Sequence, residues 1–357
     1  MLTKGDDYPI HQTPEPIAYA GSDRNFYDRY FFNAYAPDGS AFLAAAFGVY
    51  PALNVADAHF AVVKDGKERC LHASRVLGME RMDISVGPIA IDVLEPLQRL
   101  KLTIAKTEGI AGEIVFEGRS FPIEEPRFVR RIGPRLFMDY TRLTQNARVS
   151  GWVEVDGERI ELKGWVGTRD RSWGIRPVGA ADPQPTPGAG MPQFFWQWTP
   201  VNFGDCSVFY HINADAEGAP WNTRAVILPD GAGPEGGFHT EHATMETVLA
   251  PGTKHAQSGK LTIPMEQGAA TVTFQPVATF LMRGIGYGGE WRHGAFKGEL
   301  AVAREDLDCA NFDPNDMGNL HIQAISKATL SVPGQADQQG IGVFEQLILG
   351  PYRPLGV

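Results

Sequence analysis

The stretch GTRDRSWGIRP, residues 167–177, sets one carboxylate among several cations: Asp170 lies between Arg169 and Arg171, Ser172 and Trp173 follow, and Arg176 precedes a proline. Such a set supports two chemistries. Removed from water and from its arginines, Asp170 is pushed up toward neutral pH and becomes a proton donor. Gripped by Arg176, it becomes a buried structural clamp, because buried ions need partners. Trp173 offers an aromatic wall, and Arg171 or Arg176 can orient a substrate oxygen.

Other stretches extend the candidate set. GYGGEWRHG, residues 286–294, holds Tyr287, Glu290, Trp291 and His293. Its glycines let backbone approach a ligand, and Glu290 or His293 can handle a second proton. A hairpin tip with Glu290 in solvent is the plainer alternative. In MPQFFWQWTP, alternation puts Phe194, Trp196 and Trp198 on one face and Phe195 on the other. That aromatic face can line an apolar cavity, fill a core or form the seam of a homodimer. NFYDRYFFNAY, residues 25–35, carries an Asp28–Arg29 neighbour pair that reads as a clasp or as a partner of Asp170 and Arg176 across a sheet. His239 and His242 sit three apart, but the preceding GPEGGF implies a loop, so no metal site is expected. No phosphate-binding glycine loop and no nucleophile elbow is present. The expected cofactor set is therefore none.

The elements that must position these residues read as strands. Helix-period stretches are scarce, while short alternating runs such as EIVFEGRSFPI, SGWVEVDGERIELKG and KLTIPMEQGAATVTF recur between turn signals. Asp65-Gly66 and Asp156-Gly157 predict tight hairpins. GSAFLAAAFGVYPALNVA is broken by Gly48, Pro51 and Asn54 and reads as two strands and a turn, not a membrane span. DVLEPLQRLKLTI admits a short helix weakened by Pro96. Carried through from the Asp156-Gly157 turn, the alternation puts Ile160, Leu162, Val166, Thr168, Asp170 and Ser172 on the interior face. Arg159, Glu161, Lys163, Trp165, Arg169 and Arg171 fall on the other face, toward solvent or a second domain, unless Gly164 or Gly167 marks a bulge.

At 357 residues, with 43% hydrophobic and 21% charged, the chain is long enough for two packed domains. The proline-rich segment AADPQPTPGAGMP cannot continue a sheet. It divides the chain into an N-terminal β domain, 1–180, a linker or loop, 181–192, and a C-terminal β domain, 193–357. The spacing of Gly164, Gly167, Asp170 and Gly174 is echoed by Gly286, Gly289, Glu290 and Gly294, as two related domains would produce. A net charge of −10 argues against nucleic acid and anionic membranes as partners. The 3 cysteines suggest no disulfide framework and the start no signal peptide, so a cytoplasmic protein is expected.

GWVGTRDRSWGIRPVG resembles the strand-end motif of the carotenoid 1,2-hydratase (hydroxyneurosporene synthase) family and its lipocalin-like relatives. There an Asp is followed by His, one further residue, Trp and Gly. GIGYGGEWRHGAFKGEL and GVFEQLILGPYRPLG are similar to more distant, uncharacterised members. The resemblance implies two lipocalin-like antiparallel β-barrels in tandem. It also implies hydration of an isolated carbon–carbon double bond, with Asp170 as acid. Arg171 stands where the hydratases have histidine, and arginine cannot pass protons near neutral pH. Retained fold with changed chemistry follows.

The expected function is a hydratase, dehydratase or isomerase acting by acid–base chemistry on a hydrophobic terpenoid, steroid-like or aromatic molecule. Asp170, Glu290 and His293 would be its proton carriers. Arg171, Trp173, Arg176, Trp196, Trp198, Tyr287 and Trp291 would form its binding walls. The alternative is a non-catalytic carrier of apolar ligands.

Overall fold

The computed structural model describes residues 2–181 and 193–357. Most of the 181–192 linker therefore lies outside the described residues. The fold is all-β, as expected, in two antiparallel sheets. Among the described residues no helix is long and apolar enough to cross a membrane.

The first sheet begins as a meander of Phe26–Tyr35, Ala41–Tyr50, Val55–Lys64 and Lys67–Val76. Trp165–Ile175 pairs with the free side of Phe26–Tyr35 and is followed by the long strand Arg135–Val155. Ile110–Gly118, Arg99–Thr107, Ile89–Glu95 and Ser85–Val86 complete the order. Arg75 stitches the two ends toward closure, donating from Nε to Ser85 O at 2.8 Å and from Nη2 to Asp83 O at 2.9 Å. One strand from late in the chain, Leu300–Asp308, pairs with Lys67–Val76 and so belongs to this first sheet. The second sheet is built around Phe194–Trp198, which lies between Cys206–Ala214 and Gln338–Leu349.

Both predicted hairpins form. Asp65 and Gly66 have φ of 52° and 71°, and Asp156 and Gly157 have 53° and 86°, the left-handed pairs that a two-residue turn requires. AFLAAAFGVY is buried at every position because each face meets a different core. Leu43, Ala45 and Phe47 point into the first barrel, while Phe42, Ala44 and Ala46 point into a layer shared with the second sheet. DVLEPLQRLKLTI holds no helix: it is a hairpin turning at Leu97, whose φ is 63°. The glycine echo is not structural either. Gly167 and Gly174 lie within a strand, whereas Gly286–Gly294 lies in an irregular segment.

The alternation through 158–172 needs correction. Leu162 and Trp165 both fill the first barrel's core, because the turn at Lys163–Gly164, with Gly164 at φ 71°, restarts the count. Beyond it Arg169 takes the barrel side, where its Nε donates to Gln145 Oε1 at 2.7 Å. Thr168, Asp170 and Ser172 face the layer between the sheets, alongside Asn33, Phe31 and Arg29 of the neighbouring strand. The barrels meet through this layer. Asn33 Nδ2 donates to Gln323 Oε1 at 3.0 Å, and Asn202 Nδ2 donates to the Tyr35 hydroxyl at 2.7 Å.

Candidate active site between the two sheets

The layer between the sheets opens into a cavity of about 470 Å³, within the range for small-molecule sites. Its polar lining converges from both halves: Tyr140, Arg142 and Arg176 from the first sheet, His321 and Glu345 from the second, and His293 from the irregular segment. Its apolar walls include Met138, Trp196 and Leu347.

Arg142 and Tyr140 reach the cavity because Arg135–Val155 pairs with Trp165–Ile175 in a register that sets Arg142 opposite Ser172 and Tyr140 opposite Gly174. Gly174 is required there, since a Cβ would come 2.4 Å from Asp139 O at a φ of 135°. Arg142 donates twice to Glu125 Oε2, at 2.9 and 2.6 Å, and Thr144 Oγ1 donates to Oε1 at 2.5 Å. Its guanidinium carbon lies 4.7 Å from the ring centres of both Phe128 and Trp196. Arg176 stands 4.7 Å over the Tyr27 ring. Arg29 stands 4.5 Å over Tyr287, is 2% exposed, and none of its three nitrogens has a hydrogen-bond partner among the described residues. A buried cation without a hydrogen bond is unusual and calls for water or an anionic ligand nearby.

On the opposite wall Glu345 accepts from Trp196 Nε1 at 2.8 Å, His321 Nε2 at 2.7 Å and Gln323 Nε2 at 2.7 Å. Burial alone would raise its carboxyl, but the donors, His321 foremost, outweigh burial and keep it ionised below its ordinary value. With Nε2 donating to Glu345, Nδ1 is the ring nitrogen of His321 left for another partner. Burial raises the phenols of Tyr27, Tyr50 and Tyr140, so these hydroxyls stay protonated as donors.

Of the residues singled out from the sequence, Arg176, Trp196, Tyr287 and His293 line this cavity. Asp170 is half-buried and faces the same layer, but it does not line the cavity. Burial pushes its carboxyl up to about 6, against the pull of Arg142, Arg29 and Arg176. Trp198 is buried in the layer against Phe31, with ring centres 5.9 Å apart. Arg171 turns away to pair with Asp28, its guanidinium 4.1 Å from the Tyr30 ring. Trp173 is 39% exposed. Glu290 pairs with Lys297 at 2.7 Å with its side chain in solvent, and Trp291 stacks on His72 at 5.6 Å. His239 and His242 are exposed.

Sequence reasoning passed over Tyr50, Tyr140, Arg142, His321 and Glu345. Glu345 did carry a signal: a lone carboxylate inside the apolar run GVFEQLIL. His321 carried none, being joined to Glu345 only by the pairing of Ile322–Ser331 with Gln338–Leu349.

Residues 2–357 match a protein family described as Family of unknown function (DUF8625). The chain belongs to that family. No curated protein matches the chain. Among solved structures, the family's fold as seen here resembles the crystal structure of an AttH-assigned protein (NE1406) of Nitrosomonas europaea. The identity is 13%, the TM-score is 0.53, and 95% of this chain and 98% of that one are covered. It also resembles CghA in complex with Sch210972, at 11% identity and TM-score 0.53, covering 92% and 89%. At such identities the likeness is one of fold: these neighbours share the barrel-like all-β architecture that the hydratase resemblance implied.

Proposed function

We propose that this member of the family is an enzyme that moves a proton on a small, largely apolar molecule bearing a carbonyl or carboxylate. The observation that carries the reading is the convergence of Arg176 and the Glu345–His321 pair on one apolar-walled cavity. His321 Nδ1 removes a proton from the carbon next to the carbonyl, and Glu345 stabilises the imidazolium that forms. The electron pair of the broken C–H bond moves onto the carbonyl oxygen. Arg176 and the protonated phenols around it stabilise that oxyanion. Return of the proton from the imidazolium to another carbon gives an isomer. Its transfer to a β-hydroxyl, which leaves as water while the enolate collapses to the double bond, gives a dehydration. The reverse of the latter is hydration of a double bond conjugated to the carbonyl, in contrast to the isolated double bond of the resembling hydratases. Asp170 acts here through the guanidiniums it faces rather than by touching substrate. The crystal structure of CghA with Sch210972, a neighbour with a barrel-like all-β fold, supports the idea that this architecture accommodates a bound molecule.

The test is hydrogen exchange. The protein is incubated in D₂O with a panel of apolar ketones and α,β-unsaturated acids, and C–H loss is followed by NMR. Exchange with at least one compound, lost in His321→Gln, is expected. Compounds that bind to the wild type without any exchange would replace this reading with that of a carrier.

A further inference from the structure

Behind the cavity wall lies a second cluster, built on the outer face of Val55–Lys64 and Lys67–Val76 and covered by the segment 282–298. Asp57 and His59 share that face as i and i+2, and His72 sits opposite His59. His293 comes down from the covering segment. All four are buried.

One hydrogen bond and a carboxylate contact orient these rings. His59 Nδ1 and His72 Nδ1 are 2.9 Å apart, so one donates to the other. His72 Nε2 faces Glu305 Oε2 at 3.5 Å, and Arg283 holds the Glu305 carboxylate at 2.8 Å. That contact is an ion-pair approach and not a hydrogen bond, since His72 Nε2 has no hydrogen-bond partner among the described residues. A carboxylate only accepts, however, and so favours the proton on Nε2 with a bare Nδ1. His59 then donates from Nδ1, and its Nε2 is left as a lone pair. That lone pair faces Asp57 Oδ1 at 3.8 Å and has no hydrogen-bond partner among the described residues. Asp57 Oδ2 lies 3.6 Å from His293 Nδ1, and neither nitrogen of His293 has a hydrogen-bond partner among the described residues. Two buried electron-rich groups facing each other call for a cation between them, either a metal ion or a proton on the imidazole that faces Asp57.

The backbone of Gly286, at φ 91°, packs directly against the two imidazoles. A Cβ there would lie 2.8 Å from His59 Nε2 and 2.8 Å from His293 Nδ1, so only glycine lets the covering segment bring them this close. The carboxylate is already oriented, accepting from Gly294 N at 2.7 Å and from the Tyr50 hydroxyl at 3.3 Å. One ligand atom from each of Asp57, His59 and His293 lies within 4.8 Å of the others. Ligands about 2.0–2.1 Å from a tetrahedral metal stand about 3.4 Å apart, so small side-chain rotations close the set.

We propose that Asp57, His59 and His293 bind a divalent first-row metal ion of the zinc or iron type. Its fourth position is reached from the cavity, which both Gly286 and His293 line. His72 and Glu305 form the outer relay that fixes the His59 tautomer, as orienting partners do around metal-bound histidines. The sequence alone expected no metal. Asp57 and His59 show only a two-residue spacing, and His293 joins them through the fold. The site uses a different set of side chains from the Glu345–His321 pair. The Tyr287 ring separates the two, at 4.9 Å from His293 and 4.6 Å from His321, and the test of the metal site needs no turnover.

The untagged full chain is stripped with chelator and titrated with Co²⁺ and Zn²⁺. Metal content and the visible Co²⁺ spectrum are read, and circular dichroism confirms the fold. About one equivalent per chain with a low-symmetry Co²⁺ spectrum is expected. His59→Gln and His293→Gln should abolish it, His72→Gln should weaken binding by about 10–100-fold, and a His239→Gln/His242→Gln chain should bind as the wild type does. A folded wild type that takes up no metal overturns the proposal, as does a folded His59→Gln chain that binds normally. X-ray absorption of the zinc form provides a check independent of variants: two imidazole nitrogens support the site, and an all-oxygen shell overturns it.

Discussion

Arg142 and Glu125 form an ion pair at 2.6 Å in the layer between the two sheets, where both side chains are buried. The pair neutralises one of the cavity's cations from within the protein. Arg29, by contrast, has no hydrogen-bonded carboxylate, so a bound anion is drawn toward Arg29 and Arg176 rather than toward Arg142.

Breaking that pair from one side should be costly. Arg142→Met leaves Glu125 buried and uncompensated, and about 3–5 kcal/mol of stability should be lost. The double change Arg142→Met/Glu125→Leu should recover most of it, because no charge is left behind. Urea unfolding of the three proteins measures this. A double variant no more stable than the single would show that the pair is held for more than mutual neutralisation.

Glu68 supplies a pH signature. It is buried beneath the turn at Gly284, accepts from Leu281 N at 2.8 Å, and burial pushes its carboxyl up to about 8. Its unfolded value is near 4.5. Between the two the folded protein binds the extra proton, so this group's contribution is complete below the unfolded value. It is lost as pH rises through about 8, at up to about 1.4 kcal/mol per pH unit. Glu68→Gln should remove that slope, so the variant gains on the wild type as pH rises from 5 to 9. Parallel stability curves for the two proteins across that range would refute the assignment.

Asp170 should tune anion binding. With its carboxyl near 6, it is largely neutral at pH 5 and charged at pH 8, where it competes for Arg29, Arg142 and Arg176. Wild-type affinity for an apolar carboxylate should fall several-fold as pH rises through 6, and Asp170→Asn should bind with little pH dependence. Calorimetry at several pH values decides the matter. A variant with the same pH profile as the wild type would place Asp170 outside the site's electrostatics.

Much of the architecture was legible in the chain. Asp65-Gly66 and Asp156-Gly157 specify their turns because left-handed backbone at both positions suits few residue pairs. Alternation separated Trp196 and Trp198 from Phe195, and they do pack in different clusters. These are local properties, set by residues within a few positions of one another. The face on which Asp170 lies was not local. It depended on the turn at Gly164, where the count restarts, and on a second sheet that makes the outside of one barrel an interior.

The sequence by itself determined the strands, their hairpins and the all-β class, because turn chemistry and side-chain period act over short distances. Only the tertiary structure decided which polar groups meet. Glu345 finds His321 through strand pairing, and Asp57 and His59 find His293 through a covering segment distant in the chain. Such meetings come from packing between elements, and no short-range pattern encodes them.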